Sequence, residues 1–322
     1  RFVRTGKRSL MAVVSLLAGL ALLTLGGDLL VRGAVSLAAR LKVSTLVIGM
    51  TVVSFATSCP ELLVSLNAAL KGHSDITFGN VIGSNIANIG LVLGLTGAIF
   101  SLPVSRNSLR FDWPMMALST LIFVGFILFD RRLGLLEGVF FVALLTAFSS
   151  FLIYASRREN KNNPQDTSSE DEVIRDSLTR TALYLLIGCA ALYFGSEWLI
   201  EGAVTLARSL SISERVISVS LVSVGTSVPE LAASLIAAYK KEQSISLGNL
   251  FGSNIFNLLA VLGITSVIYP VEIDDVGLLN VDIWWMVAFV FVLLPMLYLN
   301  KRRFFTRWMG AILLVSYGLY TY

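Results

Sequence analysis

Histidine is almost missing from this sequence: His73 is the only one among 322 residues. Cysteine occurs twice, as Cys59 and Cys189, each inside an apolar run. These scarcities exclude a multi-histidine metal centre, a thiolate zinc spacing and a disulfide framework. Charge is also in short supply. Asp, Glu, Lys and Arg make up 14% of the chain while 55% of it is hydrophobic; a soluble domain carries about 25% charged residues. Mean hydropathy is +0.77. The formal net charge is +4, but the basic residues fall in short connecting stretches and form no basic domain, so no nucleic-acid partner is expected. What remains is a polytopic membrane protein whose surroundings are the lipid bilayer. Spans, not soluble domains, are the count that matters.

Ten apolar segments can be placed, at about 11–39, 45–71, 78–101, 112–129, 135–155, 180–209, 213–239, 246–268, 282–299 and 304–321. At 1.5 Å per residue each can cross about 30 Å of hydrocarbon. The first and sixth are the longest and are expected to tilt or to project past the membrane. A polar stretch, "SRRENKNNPQDTSSEDEVIRDSLTR" from Ser156 to Arg180, reads as an exposed linker too short for a folded domain. The organisation is therefore a first unit at 11–155, a linker at 156–180 and a second unit at 181–322.

The two units repeat. An offset of 169 carries Gly33 onto Gly202, Thr57 onto Thr226, Pro60 onto Pro229 and Glu61 onto Glu230. It also carries Gly79, Asn80, Gly83, Ser84, Asn85 and Asn88 onto Gly248, Asn249, Gly252, Ser253, Asn254 and Asn257. From Asp28 to Gly94 no gap is needed and about half of the positions are identical. Five spans is an odd number, so the second copy must enter the membrane from the opposite face. The fold class expected is an all-α polytopic membrane protein of ten transmembrane helices in two inverted five-helix repeats, with equivalent motifs meeting near the midplane.

Loop charge sets an orientation. The side holding the linker is about threefold richer in Lys and Arg, including Arg40, Lys42, Arg106, Arg157, Arg158, Lys240, Lys241 and Arg302. That side is expected to be cytoplasmic and both termini outside, in a cell (inner) membrane. Arg1, Arg4, Lys7 and Arg8 would then lie outside, against the rule. The first ten residues therefore read as an extension foreign to the chain or misassigned to it; the other reading keeps them as native and tolerated.

Two motifs carry the chemistry. "SFATSCPELLVSL" from Ser54 is matched by "SVGTSVPELAASL" from Ser223. Pro60 has no N–H to give the carbonyl of Ala56, and Pro229 has none for Gly225, so both helices should loosen there and free backbone oxygens between Ser54 and Thr57 and between Ser223 and Thr226. Irregular backbone at membrane depth is tolerable only beside a cavity or inside protein. Glu61 and Glu230 follow directly, and an intramembrane carboxylate is costly and usually functional. "GNVIGSNIAN" is matched by "GNLFGSNIFN"; Ser84 and Asn88, like Ser253 and Asn257, are four apart and share a helix face. By symmetry two carboxylates, several hydroxyls and freed carbonyls converge into an all-oxygen site. Calcium takes about six to eight oxygens, whereas magnesium holds its water and demands a tighter octahedron. Zinc and copper would want His or Cys. With the divalent ion gone, two nearby carboxylates repel, and Na⁺ or a proton must replace it. Plainer readings exist: the glutamates as structural hydrogen-bond partners, and the serines and asparagines as polar links between helices.

The paired "TSxPE" and "GNxxGSNxxN" motifs resemble the α1 and α2 repeats of the cation/calcium exchanger superfamily, most of all the prokaryotic Na⁺/Ca²⁺ exchangers of the bacterial inner-membrane branch. The resemblance covers nearly the whole chain. It implies ten helices, a central site in which Glu61 and Glu230 are shared Ca²⁺ and Na⁺ ligands, and first and sixth helices that slide in alternating access. It also implies ligand roles for Thr57, Thr226, Ser84 and Ser253, for the backbone carbonyls of Ser54 and Ser223, and for the central polar pair Asn88 and Asn257. Two departures stand out. Ala56 replaces the usual motif glycine that Gly225 keeps, so a smaller local bend is expected at the first carbonyl. Asn257 stands where potassium-dependent relatives have Asp, which implies K⁺-independent exchange. Proton-coupled relatives usually carry an extra acid where Val81, Ile82, Leu250 and Phe251 stand here, which favours Na⁺.

The expected function is thus a secondary antiporter with Ca²⁺ and Na⁺ as substrates, no cofactor and a monomeric transport unit. Ca²⁺/H⁺ antiport is the alternative, and a passive cation channel the alternative of another class. Enzymatic activity is not expected: a hydrolase built on Ser58 or Ser227 lacks a base, since the one histidine sits in a loop and no Ser–Lys pair lies at membrane depth. Asp28 and Glu197 also coincide under the offset, near the ends of the long helices, where an interfacial or gating role is the alternative to a structural one.

Overall fold

Apolar runs of this length can satisfy their backbone in lipid only as helices, and helices are what form. The computed structural model describes residues 2–162, 176–209, 225–298 and 304–322. In chain order the helices are α1 (Phe2–Leu41), α2 (Thr45–Thr57, then Cys59–Leu70 at 43°), α3 (Ser74–Ile99), α4 (Ser108–Asp130) and α5 (Leu135–Asn162). The second set is α6 (Leu178–Ser209), α7 (Val228–Tyr239), α8 (Gln243–Ile268), α9 (Leu278–Tyr298) and α10 (Arg307–Thr321). Among the described residues seven are single helices long and apolar enough to cross a membrane, and the bent α2 is an eighth. The first part of the segment expected at 213–239 lies outside the described residues. The last helix is shorter than expected, because Phe304–Phe305 is a strand rather than the start of a helix.

The inversion is visible in four two-residue strands. β1 (Leu102–Pro103) pairs antiparallel with β4 (Phe304–Phe305), and β2 (Arg132–Leu133) with β3 (Val271–Glu272). The repeat offset turns β1 into β3, and the matching connection in the other half turns β2 into β4. One ribbon is therefore the two-fold image of the other. β1 and β2 flank opposite ends of α4, so the two ribbons cap opposite ends of the bundle.

α3 and α8 form the centre: 72% and 83% of their spans are buried, against 28% for α1 and 22% for α6. Their apolar faces, with Phe78, Ile82, Ile86, Phe251, Leu258 and Leu262, are sealed inside. α1 and α6 lie outside this core and pack against each other along their length. Glycine allows that approach. A Cβ at Gly19 would stand 2.8 Å from the carbonyl oxygen of Gly195, and one at Gly26 2.9 Å from that of Gly188. The paired numbers fall on one side as they rise on the other, so the two helices run antiparallel.

The polar stretch after residue 155 begins differently from the expected linker. α5 continues through it to Asn162. Its polar groups cover the turn between α1 and α2: Ser156 Oγ accepts from Ser44 N at 2.8 Å, Arg157 Nε donates to Leu41 O at 3.2 Å, and Asn160 Nδ2 donates to Lys42 O at 3.2 Å. Carbonyls at a helix end need such partners, and hydrophobic periodicity does not register them.

Candidate ion-binding site

The α2 helix breaks at the proline, as its chemistry requires. Pro60 sits in the first turn of the second half, and Ser58 at the joint has φ −87° and ψ 2°. Ser227, before Pro229, has the same values. In the first repeat the carbonyl that loses its partner, Ala56 O, accepts from the thiol of Cys189 on α6 at 3.3 Å. Ser54 O accepts from Ser58 N at 2.9 Å, and Thr57 Oγ1 lies 3.3 Å from it. Thr57 has one hydroxyl hydrogen and the nearer acceptor is Asn249 Oδ1, so one lone pair of Ser54 O stays open to a further partner. Ser223 lies outside the described residues.

Glu61 and Glu230 follow the break in the first turn of the new half-helices, where the exposed N–H groups favour negative charge. Both are fully buried. Neither oxygen of Glu61 has a hydrogen-bond partner, nor does Oε2 of Glu230. Oε1 of Glu230 accepts from Ser58 Oγ, a first-repeat group, at 3.4 Å. The backbones of the two glutamates are tied symmetrically. Asn80 Nδ2 donates to Glu61 O at 3.2 Å and to Ser65 Oγ at 2.9 Å. Asn249 Nδ2 donates to Glu230 O at 3.4 Å and to Ser234 Oγ at 3.0 Å.

The hydroxyls meet across the repeats. Thr57 Oγ1 lies 3.4 Å from Ser253 Oγ and donates to Asn249 Oδ1 at 3.1 Å; Ser84 Oγ lies 3.2 Å from Thr226 Oγ1. Asn88 and Asn257 are fully buried, and neither their amide nitrogens nor their oxygens have partners. Each opens a widened π turn, Asn88–Leu93 and Asn257–Leu262, a distortion frequent at functional sites. The second half of α2 packs on the Asn257 turn and α7 on the Asn88 turn, so each glutamate-bearing half-helix faces the polar turn of the other repeat. Such unpaired buried oxygens each cost about 1–3 kcal/mol. Among the described residues no three His, Cys, Asp or Glu side chains gather to hold a metal ion. The arrangement is two acids within neutral oxygens.

The glycines of the second "GNLFGSN" are explained by contact. A Cβ at Gly248 would stand 2.5 Å from Leu46 O, and one at Gly252 2.2 Å from Ser54 Oγ. Gly49 on the facing helix is equally tight, 2.7 Å from Ile245 O. The first half of α2 thus lies backbone to backbone on α8. Two features escaped the sequence reading. Asn80 and Asn249 act as scaffold for the glutamate backbones, and their coincidence under the offset was the available signal. Cys189 had none, because its repeat counterpart is Leu20.

A helical bundle of inverted repeats with a buried, two-carboxylate oxygen site at its crossing defines a secondary membrane transporter, and not an enzyme. The comparisons narrow this. The sequence profile described as "Sodium/calcium exchanger protein" matches residues 11–154 and 180–322, and the chain belongs to that family. The inner membrane protein YrbG of Escherichia coli (strain K12) is 34% identical over 88% of this chain and 89% of its own. The sodium/calcium exchanger MaX1 of Methanosarcina acetivorans is 32% identical over 94% of this chain and 95% of its own. A solved structure of the sodium-calcium exchanger NCX_Mj superposes with a TM-score of 0.79 at 31% identity, covering 96% of this chain and 97% of that one.

Proposed function

We propose that this protein exchanges Na⁺ for Ca²⁺ by alternating access, with Glu61 and Glu230 as the shared ligands. The observation that carries the reading is the set of three unpaired carboxylate oxygens on two fully buried glutamates of opposite repeats. Two buried negative charges without partners are unstable alone; one divalent or two monovalent cations neutralise them. Thr57, Thr226, Ser84 and Ser253 supply hydroxyl oxygens, Asn88 and Asn257 their amide oxygens, and the Ser54 and Ser223 carbonyls the backbone oxygens. Calcium's tolerance of mixed, irregular oxygen shells suits this set. Both cations need the same carboxylates, so the binding of one excludes the other.

Asn257 supports independence from K⁺, since a neutral amide offers no extra charge to hold it. The apolar side chains of Val81, Ile82, Leu250 and Phe251, all buried, support Na⁺ over H⁺ coupling. Inverted symmetry supports an exchanger over a passive channel. Loop charge supports placing the 156–180 side in the cytoplasm and both termini outside a bacterial-type inner membrane. The test is Ca²⁺ uptake into proteoliposomes under an imposed Na⁺ gradient, with and without K⁺, repeated under a pH gradient. Uptake driven by Na⁺ and indifferent to K⁺ is expected. Uptake that follows the pH gradient alone would establish the Ca²⁺/H⁺ alternative, and flux needing no counter-ion would establish a channel.

A further inference from the structure

Asp28, on α1, carries two ion pairs. Its Oδ2 meets Arg32 Nε of the same helix at 2.7 Å, and its Oδ1 meets Lys240 Nζ, just past the end of α7. The repeat offset that carries Asp28 onto Glu197 also carries Lys71 onto Lys240. The chain therefore holds the same acid–base couple twice, at opposite ends of the bundle: Asp28 with Lys240, and Glu197 with Lys71. Only one couple is joined. Lys71 makes no ion pair with Glu197, whose Oε1 instead accepts from the hydroxyl of Tyr193 at 2.9 Å, one turn back on α6.

The packing is unequal in the same sense. α1 rests on α7, where a Cβ at Gly27 would stand 2.3 Å from Ile236 Cδ1. The corresponding surface, α6 against the second half of α2, is instead parted by an apolar cavity of about 300 Å³. Its walls include Pro60, Leu63, Leu186, Cys189 and Tyr193. Two contacts that the repeat makes equivalent are thus unequal, one seated and one parted.

The α1–α6 pair holds together as one body. α1 and α6 lock glycine to backbone along their length, their hydroxyls meet at Ser36 and Thr181 (2.7 Å), and they lie largely outside the core. By their register Asp28 and Glu197 stand about 13 Å apart along this pair. They are fixed on one body, and Lys71 and Lys240 on the other.

We propose that Asp28–Lys240 and Glu197–Lys71 are alternate latches of the transport cycle, one closed in each orientation of the α1–α6 pair and never both. The four side chains are positioning residues. They touch no transported ion; they hold the pair at one of its two stops. A carboxylate–ammonium couple suits this role, since at 27–29% side-chain exposure the joined pair is partly shielded yet open enough to water to be broken. The proposal rests on the antiport reading, which requires two orientations.

The experiment uses the full chain in proteoliposomes, in a Cys59→Ala/Cys189→Ser background whose Na⁺-driven Ca²⁺ uptake is measured first. Cysteines are then placed at 28 with 240, or at 71 with 197, and joined with a short thiol cross-linker under saturating Na⁺ or saturating Ca²⁺ on each face. Both pairs are expected to cross-link, with yields that move in opposite directions between conditions. Each cross-link should stop uptake until reduced. Separately, Lys71→Glu should slow uptake about fivefold, the scale of one partly exposed ion pair, and Lys71→Glu/Glu197→Lys should restore it. If uptake is intact but the 71–197 pair never cross-links, or both yields rise and fall together, the latches are overturned while the antiport reading stands. If the protein with both native cysteines shows no cation-coupled uptake, the antiport reading falls, and the latches with it.

Discussion

The Oγ1 of Thr57 and the Oγ of Ser253 lie 3.4 Å apart, although 196 residues separate them. The contact joins the proline motif of one repeat to the asparagine motif of the other, and Ser84 with Thr226 is its image at 3.2 Å. The proposed site is thus crossed: each glutamate-bearing break meets hydroxyls of the opposite half. Thr57→Val keeps the shape and removes the oxygen. It is expected to weaken Ca²⁺-dependent uptake, read as a raised half-saturating Ca²⁺, and Thr226→Val should do the same. An effect confined to one of the two would show that the halves are not equivalent ligands.

The unpaired oxygens of Glu61 and Glu230 give a stability prediction. With no cation, two buried carboxylates oppose folding. A cation that binds only the folded state adds about 2.7 kcal/mol at a hundred times its dissociation constant. Thermal unfolding in detergent should therefore shift upward with Ca²⁺ and, at higher concentration, with Na⁺. In Glu61→Gln/Glu230→Gln the cation-dependent shift should vanish while the cation-free protein becomes more stable than the parent. Exchange should be lost in either single variant. A Ca²⁺ shift that persists in the double variant would place the site elsewhere.

Gly252 is expected to be irreplaceable. Its missing side chain leaves room for Ser54 Oγ, which donates to Gly49 O at 2.8 Å and lies 3.2 Å from Asn249 O. A methyl group 2.2 Å from Ser54 Oγ must push α2 off α8, and with it Thr57. Gly252→Ala should abolish uptake. The double variant Gly252→Ala/Ser54→Ala, which removes the colliding oxygen, should recover part of the protein yield but less of the transport, because Met50 O stands 2.6 Å from the same point.

Much of this was legible because the sequence states it twice. The offset named the glutamates, the prolines and the asparagine motifs, and an odd span count forced their inversion. The crossed pairing was harder to read: a repeat shows which residues are equivalent but not which of them touch. Helix ends were obscured for another reason. Asn107 and Glu159, joined at 2.9 Å, and Ser156 on Ser44 N are polar groups satisfying polar groups, so the segment reads as a solvated linker although α5 runs through it. The Ala56 carbonyl followed directly from Pro60, but its partner Cys189 has no counterpart in the other repeat. For that thiol, Cys189→Ser, which keeps a donor, is expected to be tolerated better than Cys189→Ala in yield and thermal stability.

Asp112 and Asp282 open the matching helices α4 and α9, yet their surroundings differ. Asp282 Oδ1 accepts from the hydroxyl of Tyr320 on α10 at 2.8 Å. Asp112 is 1% exposed and, among the described residues, has the Ser108 hydroxyl beside it and no phenol in reach. Gly138 on α5 meets Gly263 O as Gly310 on α10 meets Gly94 O; aligning these two glycines sets Phe148 opposite Tyr320. The first repeat therefore lacks the phenol that bonds the acid of the second. A hydrogen bond to a charged group contributes about 1.5–3 kcal/mol. Tyr320→Phe should lower thermal stability by a loss of that order, and Phe148→Tyr should raise it by supplying a phenol donor to Asp112. The gain must depend on the acid: in an Asp112→Asn background, Phe148→Tyr should have a much smaller effect. Equal gains with and without Asp112 would mean that the added hydroxyl finds some other partner than this acid.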